Sequence, residues 1–185
     1  HDPVEDVQFL EREITMWMAS ILKKDWAKVA RTAETEKKGI YVPLEERLAG
    51  LGIKRNHIFD AVHKANLNAD KPTTWSEEDF LKFVDTLRRI SKPMLIVANK
   101  MDLPTSETNL ERLKKLDYTV IPASAEAELA LRRAAEKKLI EYRPGDPDFK
   151  ILQKDKLSEG QIKALEAIRE KIIKNGTTGV QEAIN

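Results

Sequence analysis

Apolar side chains recur at three- and four-residue spacing from the start of the chain to about Ile90, the signature of amphipathic helices. Asp2 stands where an N-cap belongs, Pro3 at the first helical position, and Glu5 where it completes a capping-box-like pair. Leu10, Ile14, Trp17 and Ile21 then form one apolar face. The charged stretch from Lys23 to Lys38, ending at Gly39, has only Trp26, Val29 and Ala33 as apolar positions and reads as a solvated helix, half of a helical hairpin. Pro43 opens a short helix that stops near Gly50 and Gly52. The next runs from about Lys54 to Leu67, with Ile58, Phe59, Val62 and Ala65 inward. Ser76 caps a helix whose Phe80, Phe83, Val84, Leu87 and Ile90 face a core, and the dipole of that helix accounts for Glu77, Glu78 and Asp79 in its first turn. Leu10, Ile14, Trp17, Phe80, Val84 and Leu87 are the expected buried residues of this helical part.

At Pro93 the period changes. Met94 to Ala98 is a continuous apolar run without alternation, as in a parallel strand buried on both faces. A polar turn, a short helix carrying Leu110, Leu113 and Leu116, and a second strand from Tyr118 to Pro122 complete a βαβ unit. A helix from about Glu126 to Tyr142, a turn at Arg143 to Pro147, and a helix capped by the Ser158–Gln161 pair follow. Ile162, Leu165, Ile168 and Ile172 point inward along this last helix, Asn175-Gly176 ends it, and the tail begins one more. Two parallel strands cannot stand alone, and the sequence offers no further good strand. The expected fold is therefore α/β: an incomplete parallel sheet at 92–185, with an all-helical insert at 1–91.

Composition narrows the chemistry. The 185 residues suffice for one domain, or for one and part of another; 34% are charged, and the formal net charge is only +1. That balance gives no electrostatic case for DNA or for a membrane surface. No apolar run approaches the roughly 20 residues of a membrane span. There is no cysteine, which excludes disulfides and thiolate chemistry and suits a cytoplasmic protein. The chain starts at His1 without methionine, which processing, recombinant expression or a cut from something longer would each explain.

The first strand runs into Asn99-Lys100-Met101-Asp102, at the carboxyl end where open α/β sheets bind ligands. These residue types suit guanine. The Asp102 carboxylate can accept from the ring N1–H and the 2-amino group, a donor pair that adenine lacks, so adenine would leave a desolvated carboxylate unpaired. Lys100 can lay its stem along the purine face, and Asn99 can tie neighbouring loops. The second strand ends in Ala123-Ser124-Ala125, where the Ala125 N–H is assigned to the guanine 6-oxo group and Ser124 buttresses the Asp102 loop. Four such residues alone occur often by chance; the flanking strands, short crossover helix and Ser-Ala give the motif its weight.

Together these motifs resemble the guanine-specificity elements of translation-factor-class P-loop GTPases. The opening Asp2-Pro3-Val4-Glu5-Asp6-Val7, the helical insert and Lys92-Pro93 before the strand are similar to the Obg-like YchF subfamily in its archaeal form. The resemblance covers nearly the whole chain. It implies a helical domain inserted in the G domain, association with ribosomes, and GTP/GDP rather than ATP, since Asp102 stands where many members have glutamate. Family members often end in a small C-terminal TGS domain, which is not expected within these 185 residues. None of the seven glycines is followed by lysine, so the phosphate loop and its Mg2+ are expected in a missing part. This chain alone is expected to be inactive, and the intact protein to hydrolyse GTP. The rival reading is a non-enzymatic helical module that binds ribosome or RNA, with a vestigial nucleotide site.

Other candidates have plainer explanations. His57 and His63 lie six apart and fall on different helix faces, and His1 is distant, so a metal site is not expected. Lys54, Arg55, His57, His63 and Lys64 can form a basic face toward ribosomal RNA, but a solvated helix surface explains them more simply. Trp17 and Trp26 read as core.

Overall fold

The structure, a computed structural model, describes residues 2–36 and 39–185. His1, Lys37 and Lys38 lie outside the described residues, and the solvated helix expected from Lys23 to Lys38 runs only from Trp26 to Thr35. The chain is mostly helical with a small parallel sheet. It divides into two compact units, Glu5–Met94 and Leu95–Asn185, with residues 2–4 going with the second. The division falls just past the expected boundary at 91/92.

The first unit is helical among its described residues. Helices α1 (Pro3–Lys23), α2 (Trp26–Thr35), α3 (Tyr41–Leu48), α4 (Arg55–Lys64) and α5 (Glu77–Ser91) follow in order. Asp2 begins α1 as expected, its Oδ1 accepting from the Val4 N–H at 3.0 Å. Ser76 begins α5 in a reciprocal box: its Oγ accepts from Asp79 N, and the Asp79 carboxylate accepts from Ser76 N. The core gathers Met18, Leu22, Leu44, Leu48, Ile58, Val62, Phe83, Val84 and Leu87. Trp26, half-buried, stacks beside Trp75 and Phe80 with ring centroids 5.3 and 4.9 Å apart.

The face of α1 differs from the expected one. Leu10 and Trp17 are 53% and 54% exposed, Ile14 is half-buried, and Thr15, Met18, Ala19 and Leu22 are buried instead. Both sets obey helical spacing, so hydrophobic period alone cannot choose between them. A buried cation makes the choice. Arg88 on α5 is 1% exposed, and such a group must be paired and fully hydrogen-bonded. Its Nε donates to Thr15 Oγ1 at 3.1 Å, and its Nη2 donates to Glu11 at 2.9 Å and Asp85 at 3.2 Å. Only the rotation that turns Thr15 and Glu11 inward supplies those acceptors. Phe59 of α4, expected inside, is likewise exposed, while Ala61 is buried. The stretch read as solvated buries Ala30 and Ala33.

In the second unit, β1 (Leu95–Ala98) and β2 (Thr119–Pro122) pair in parallel, Leu95 opposite Thr119 and Ala98 opposite Pro122. Helix α6 (Ser106–Leu113) connects them, with Leu110 and Leu113 buried. The expectation that the first strand is covered on both faces fails: Leu95 and Val97 are 50% and 44% exposed. Among the described residues β1 pairs with β2 alone, and two strands with one crossover helix supply cover for one face.

Helix α7 (Ala125–Glu136) is shorter than expected. Lys138 takes a left-handed conformation, φ 56°, while Lys138 N donates to Ala135 O and Leu139 N to Ala134 O. That is a Schellman stop without its usual glycine, so the sequence gives no signal for it. The chain then forms β3 (Ile140–Glu141), antiparallel to β4 (Lys150–Ile151), a short ladder that hydrophobic patterning does not reveal. Helix α8 (Glu159–Asn175) starts at the expected Ser158–Gln161 box and stops at Gly176. Leu165 and Ile172 are buried, Ile162 and Ile168 half-buried. Helix α9 (Val180–Ile184) closes the chain. Leu131, Ile140, Tyr142, Phe149, Leu165 and Ile172 form this unit's core.

One polar group is sealed beside that core. Glu128 of α7 is 3% exposed. Its Oε2 accepts from Tyr142 Oη and Thr178 Oγ1, both at 2.6 Å, and its Oε1 accepts from Arg132 Nε at 2.6 Å. Burial pushes the Glu128 carboxyl up, but the bonds from Thr178, Tyr142 and Arg132 outweigh it and hold the group below the ordinary glutamate range. Burial, reinforced by the Glu128 carboxylate, pushes the Tyr142 phenol up to about 12.

Two predictions follow from this packing. In urea unfolding, Leu87→Ala costs roughly 2–5 kcal/mol, as for a large-to-small change in a closed core. Trp17→Ala stays within about 0.5 kcal/mol, and a Trp17 cost equal to that of Leu87 would mean the face of α1 is wrongly assigned. The second concerns alkaline pH. The unfolded phenol loses its proton near 10 and the folded one near 12, so the fold binds the extra proton in between. The stability contributed by Tyr142 is complete below pH 10 and is lost as pH rises from 10 to 12. A tyrosinate absorbance titration shows a step near 12 that Tyr142→Phe removes; a step that persists in the variant contradicts the assignment.

Candidate guanine-binding site

The parallel pairing of β1 and β2 sets their carboxyl ends side by side. The ladder continues one step into the loops: Ala123 N donates to Ala98 O at 2.9 Å, and Met101 N donates to Ala123 O at 3.1 Å. Met101, 4% exposed, anchors the first loop from below. Ser106, at the start of α6, shares its one hydroxyl proton between the Leu103 carbonyl at 2.7 Å and the Met101 carbonyl at 3.1 Å. The loop is thus held from both its ends, and Lys100 between them adopts φ 67°. A side chain there costs on the order of 1 kcal/mol or more, and the surrounding hydrogen bonds must supply it.

All five residues singled out from the sequence meet here. Asn99 Oδ1 accepts from the Lys100 N–H at 2.8 Å and from the Ala125 N–H at 3.0 Å, joining the two loops through one amide oxygen. Ser124 Oγ donates to Asp102 Oδ1 at 2.9 Å. The same oxygen accepts from Ala127 N at 3.4 Å, so Ser124 is also the N-cap of α7. Ser124 is buried; Asn99, Lys100, Asp102 and Ala125 are exposed. The Ala125 N–H, assigned to the guanine 6-oxo group, is engaged by Asn99 Oδ1, because a helix N-terminus offers unpaired donors and the Asn99 amide lies within reach.

Three residues that the sequence reading did not single out also hold this site. Ser124 N donates to Thr178 O at 2.9 Å. Gly179 lies against β2 so closely that a Cβ there would sit 1.9 Å from Pro122 O. Glu128 binds the Thr178 hydroxyl. The only sequence signal was the Gly176-Thr177-Thr178-Gly179 string, which reads as an ordinary helix stop.

The basic residues of α4 are partly committed elsewhere. Arg55 makes two bonds to Glu45 Oε2, at 3.0 and 2.8 Å, and His57 Nδ1 accepts from Lys54 N as part of the helix cap. Two larger grooves, about 210 Å³ beside α7 and α8 and about 620 Å³ beside α1 and α5, contain none of the five residues. No helix of the described residues is long and apolar enough to cross a membrane.

Residues 97–185 match the family model described as Obg-like GTPase YGR210-like, G4 motif-containing domain. An uncharacterized GTP-binding protein of Methanocaldococcus jannaschii is 47% identical over 100% of this chain and 46% of its own length. One from Schizosaccharomyces pombe is 25% identical over 97% of this chain and 46% of its length. The crystal structure of a GTP-binding protein from Pyrococcus horikoshii superimposes with a TM-score of 0.77 at 41% identity, over 100% of this chain and 49% of that one. The chain spans about half the length of the curated relatives it matches. Residues 97–185 are thus similar to the G4 motif-containing domain of Obg-like GTPases, and the chain along its whole length is similar to about half of a GTP-binding protein.

Proposed function

We propose that this chain reads the guanine base of GTP and GDP through Asn99, Lys100, Asp102, Ser124 and Ala125, within a protein that hydrolyses GTP. The observation that carries the reading is the Ser124–Asp102 bond of 2.9 Å. It occupies one lone pair of the carboxylate and orients the rest of the group toward solvent, where an N1–H and a 2-amino group can both donate. Lys100 covers the purine face with its stem. The 6-oxo group competes with Asn99 Oδ1 for the Ala125 N–H, so base binding redistributes the bonds of the Asn99 amide. Residues 1–91 act as a helical insert in the G domain, as in the YchF subfamily that the sequence resembles. Phosphate, Mg2+ and hydrolysis belong to the full-length protein, through a phosphate loop outside these residues. Action at the ribosome, in the cytoplasm, follows from the same resemblance. The reading as a nucleotide-free helical module is the weaker one, since the base-reading residues converge with satisfied hydrogen bonds.

Asp102→Asn tests the reading. The substitution puts an NH₂ donor opposite the 2-amino group of guanine, whereas xanthine carries an oxygen there. In nucleotide competition on the full-length protein, the variant weakens GTP relative to XTP by on the order of 2–4 kcal/mol, the scale of a lost charge-assisted bond and an unpaired donor. ATP is not rescued, because adenine carries an amino group in place of the 6-oxo acceptor. A variant that keeps the wild-type preference for GTP over XTP removes Asp102 from the base site.

A further inference from the structure

The base-reading loops are held from a third direction, by a segment far along the chain. Ser124 N–H, the group between the buttress of Asp102 and the start of α7, donates to the carbonyl of Thr178 at 2.9 Å. The Thr178 side chain is buried, and its Oγ1 donates to Glu128 Oε2 at 2.6 Å. Glu128 lies one turn into α7, and its own N–H donates to Ser124 O at 3.1 Å. A single residue therefore grips both ends of the first turn of α7, by backbone at Ser124 and by side chain at Glu128.

The position of that grip is constrained by close packing on β2. Gly179 has φ 75°, and a Cβ on it would meet Pro122 O at 1.9 Å, Pro122 C at 2.9 Å and Ala123 Cα at 3.0 Å. The tail backbone thus rests directly on the end of β2, at a spacing only glycine permits. Thr177 Oγ1 accepts from Gly179 N at 2.9 Å and closes the turn. The space left among Met101, Ala123, Ser124, Ile172 and Thr178 is about 10 Å³, no more than one water can use. A shift of the turn is therefore passed to Ser124, and from Ser124 Oγ to the Asp102 carboxylate. Arg132 of α7 and Tyr142, the residue after β3, complete the shell of Glu128.

We propose that the Thr177–Gly179 turn is a specificity-positioning element: Thr178 and Gly179 hold Ser124 so that Asp102 meets the N1–H and 2-amino edge of guanine. They touch no nucleotide and act through Ser124. The proposal rests on the base-site reading above and adds residues to it from a segment with no motif.

The test compares GTP with ITP, which differs only by lacking the 2-amino group that Asp102 reads. A change that merely loosens the fold weakens both nucleotides together, whereas misplacement of Asp102 lowers their ratio. In the full-length protein, Thr178→Val removes one donor from buried Glu128 at nearly constant volume. The GTP-over-ITP affinity ratio then falls by about fivefold or more, the scale of one impaired charge-assisted contact. Thr178→Ser restores the donor and the ratio with it. Gly179→Ala, which forces the turn off β2, gives the larger fall. A ratio that survives Thr178→Val unchanged overturns the proposal. A wild type with no preference for GTP over ITP overturns the base-site reading and the proposal together, so the two failures are told apart. Amide hydrogen exchange of the wild type decides independently of how the variants fold. The Ser124 N–H exchanges as slowly as that of Ala123 if Thr178 holds it, and rapid exchange at Ser124 alone overturns the proposal.

Discussion

The Ser124 hydroxyl does two things at once, and the arrangement of the site depends on both. It donates to Asp102 and accepts from the first turn of α7. A hydroxyl has one proton and two lone pairs, so both bonds can form together, whereas alanine offers neither and valine would bury apolar atoms against a carboxylate. The donation fixes which oxygen of Asp102 remains for a ligand. The acceptance fixes where α7 starts, and with it the depth of Glu128 in the core. Because the same atom serves both bonds, the position of the Asp102 carboxylate and the packing of the unit are not independent.

The loop from Asn99 to Asp102 shows how such an arrangement is maintained against strain. Lys100 in a left-handed conformation is unfavourable by on the order of 1 kcal/mol or more. Against it stand the Asn99 bonds to Lys100 and Ala125, the extension of the β1–β2 ladder through Ala123, and the Ser106 hydroxyl on two loop carbonyls. Each contributes about 0.5–1.5 kcal/mol net, so the sum exceeds the strain. In the helical unit the same logic works on a larger scale. Burying the Arg88 guanidinium is tolerable only with Glu11, Thr15 and Asp85 around it, and that requirement sets the rotation of α1 where apolar patterning leaves two faces open.

What was legible in the sequence divides along this line. The helix starts at Ser76 and Ser158, the stop at Gly176, the two strands and the five loop residues all carry local signals: caps, breakers, an apolar run and residue types suited to one base edge. The parts misread are set by tertiary partners. Leu10 and Trp17 looked inward because period does not distinguish two overlapping faces. Met94 to Ala98 looked doubly buried because an apolar run implies two covering layers, and the described residues supply one. The Lys138 stop lacked a glycine, and the two-residue β3–β4 ladder is too short for alternation. Thr178 and Gly179 had no readable role, since their meaning lies in contact with Pro122, Ser124 and Glu128, all far away along the chain.

The central claim is that Asp102, held by Ser124, reads guanine. It is tested most directly by a crystal structure of the full-length protein with GDP. The account predicts the guanine N1–H and 2-amino nitrogens within hydrogen-bond distance of the Asp102 carboxylate, with Ser124 Oγ still on Oδ1 and the 6-oxo oxygen at the Ala125 N–H. A base seated elsewhere, or an Asp102 turned away from it, would contradict the account.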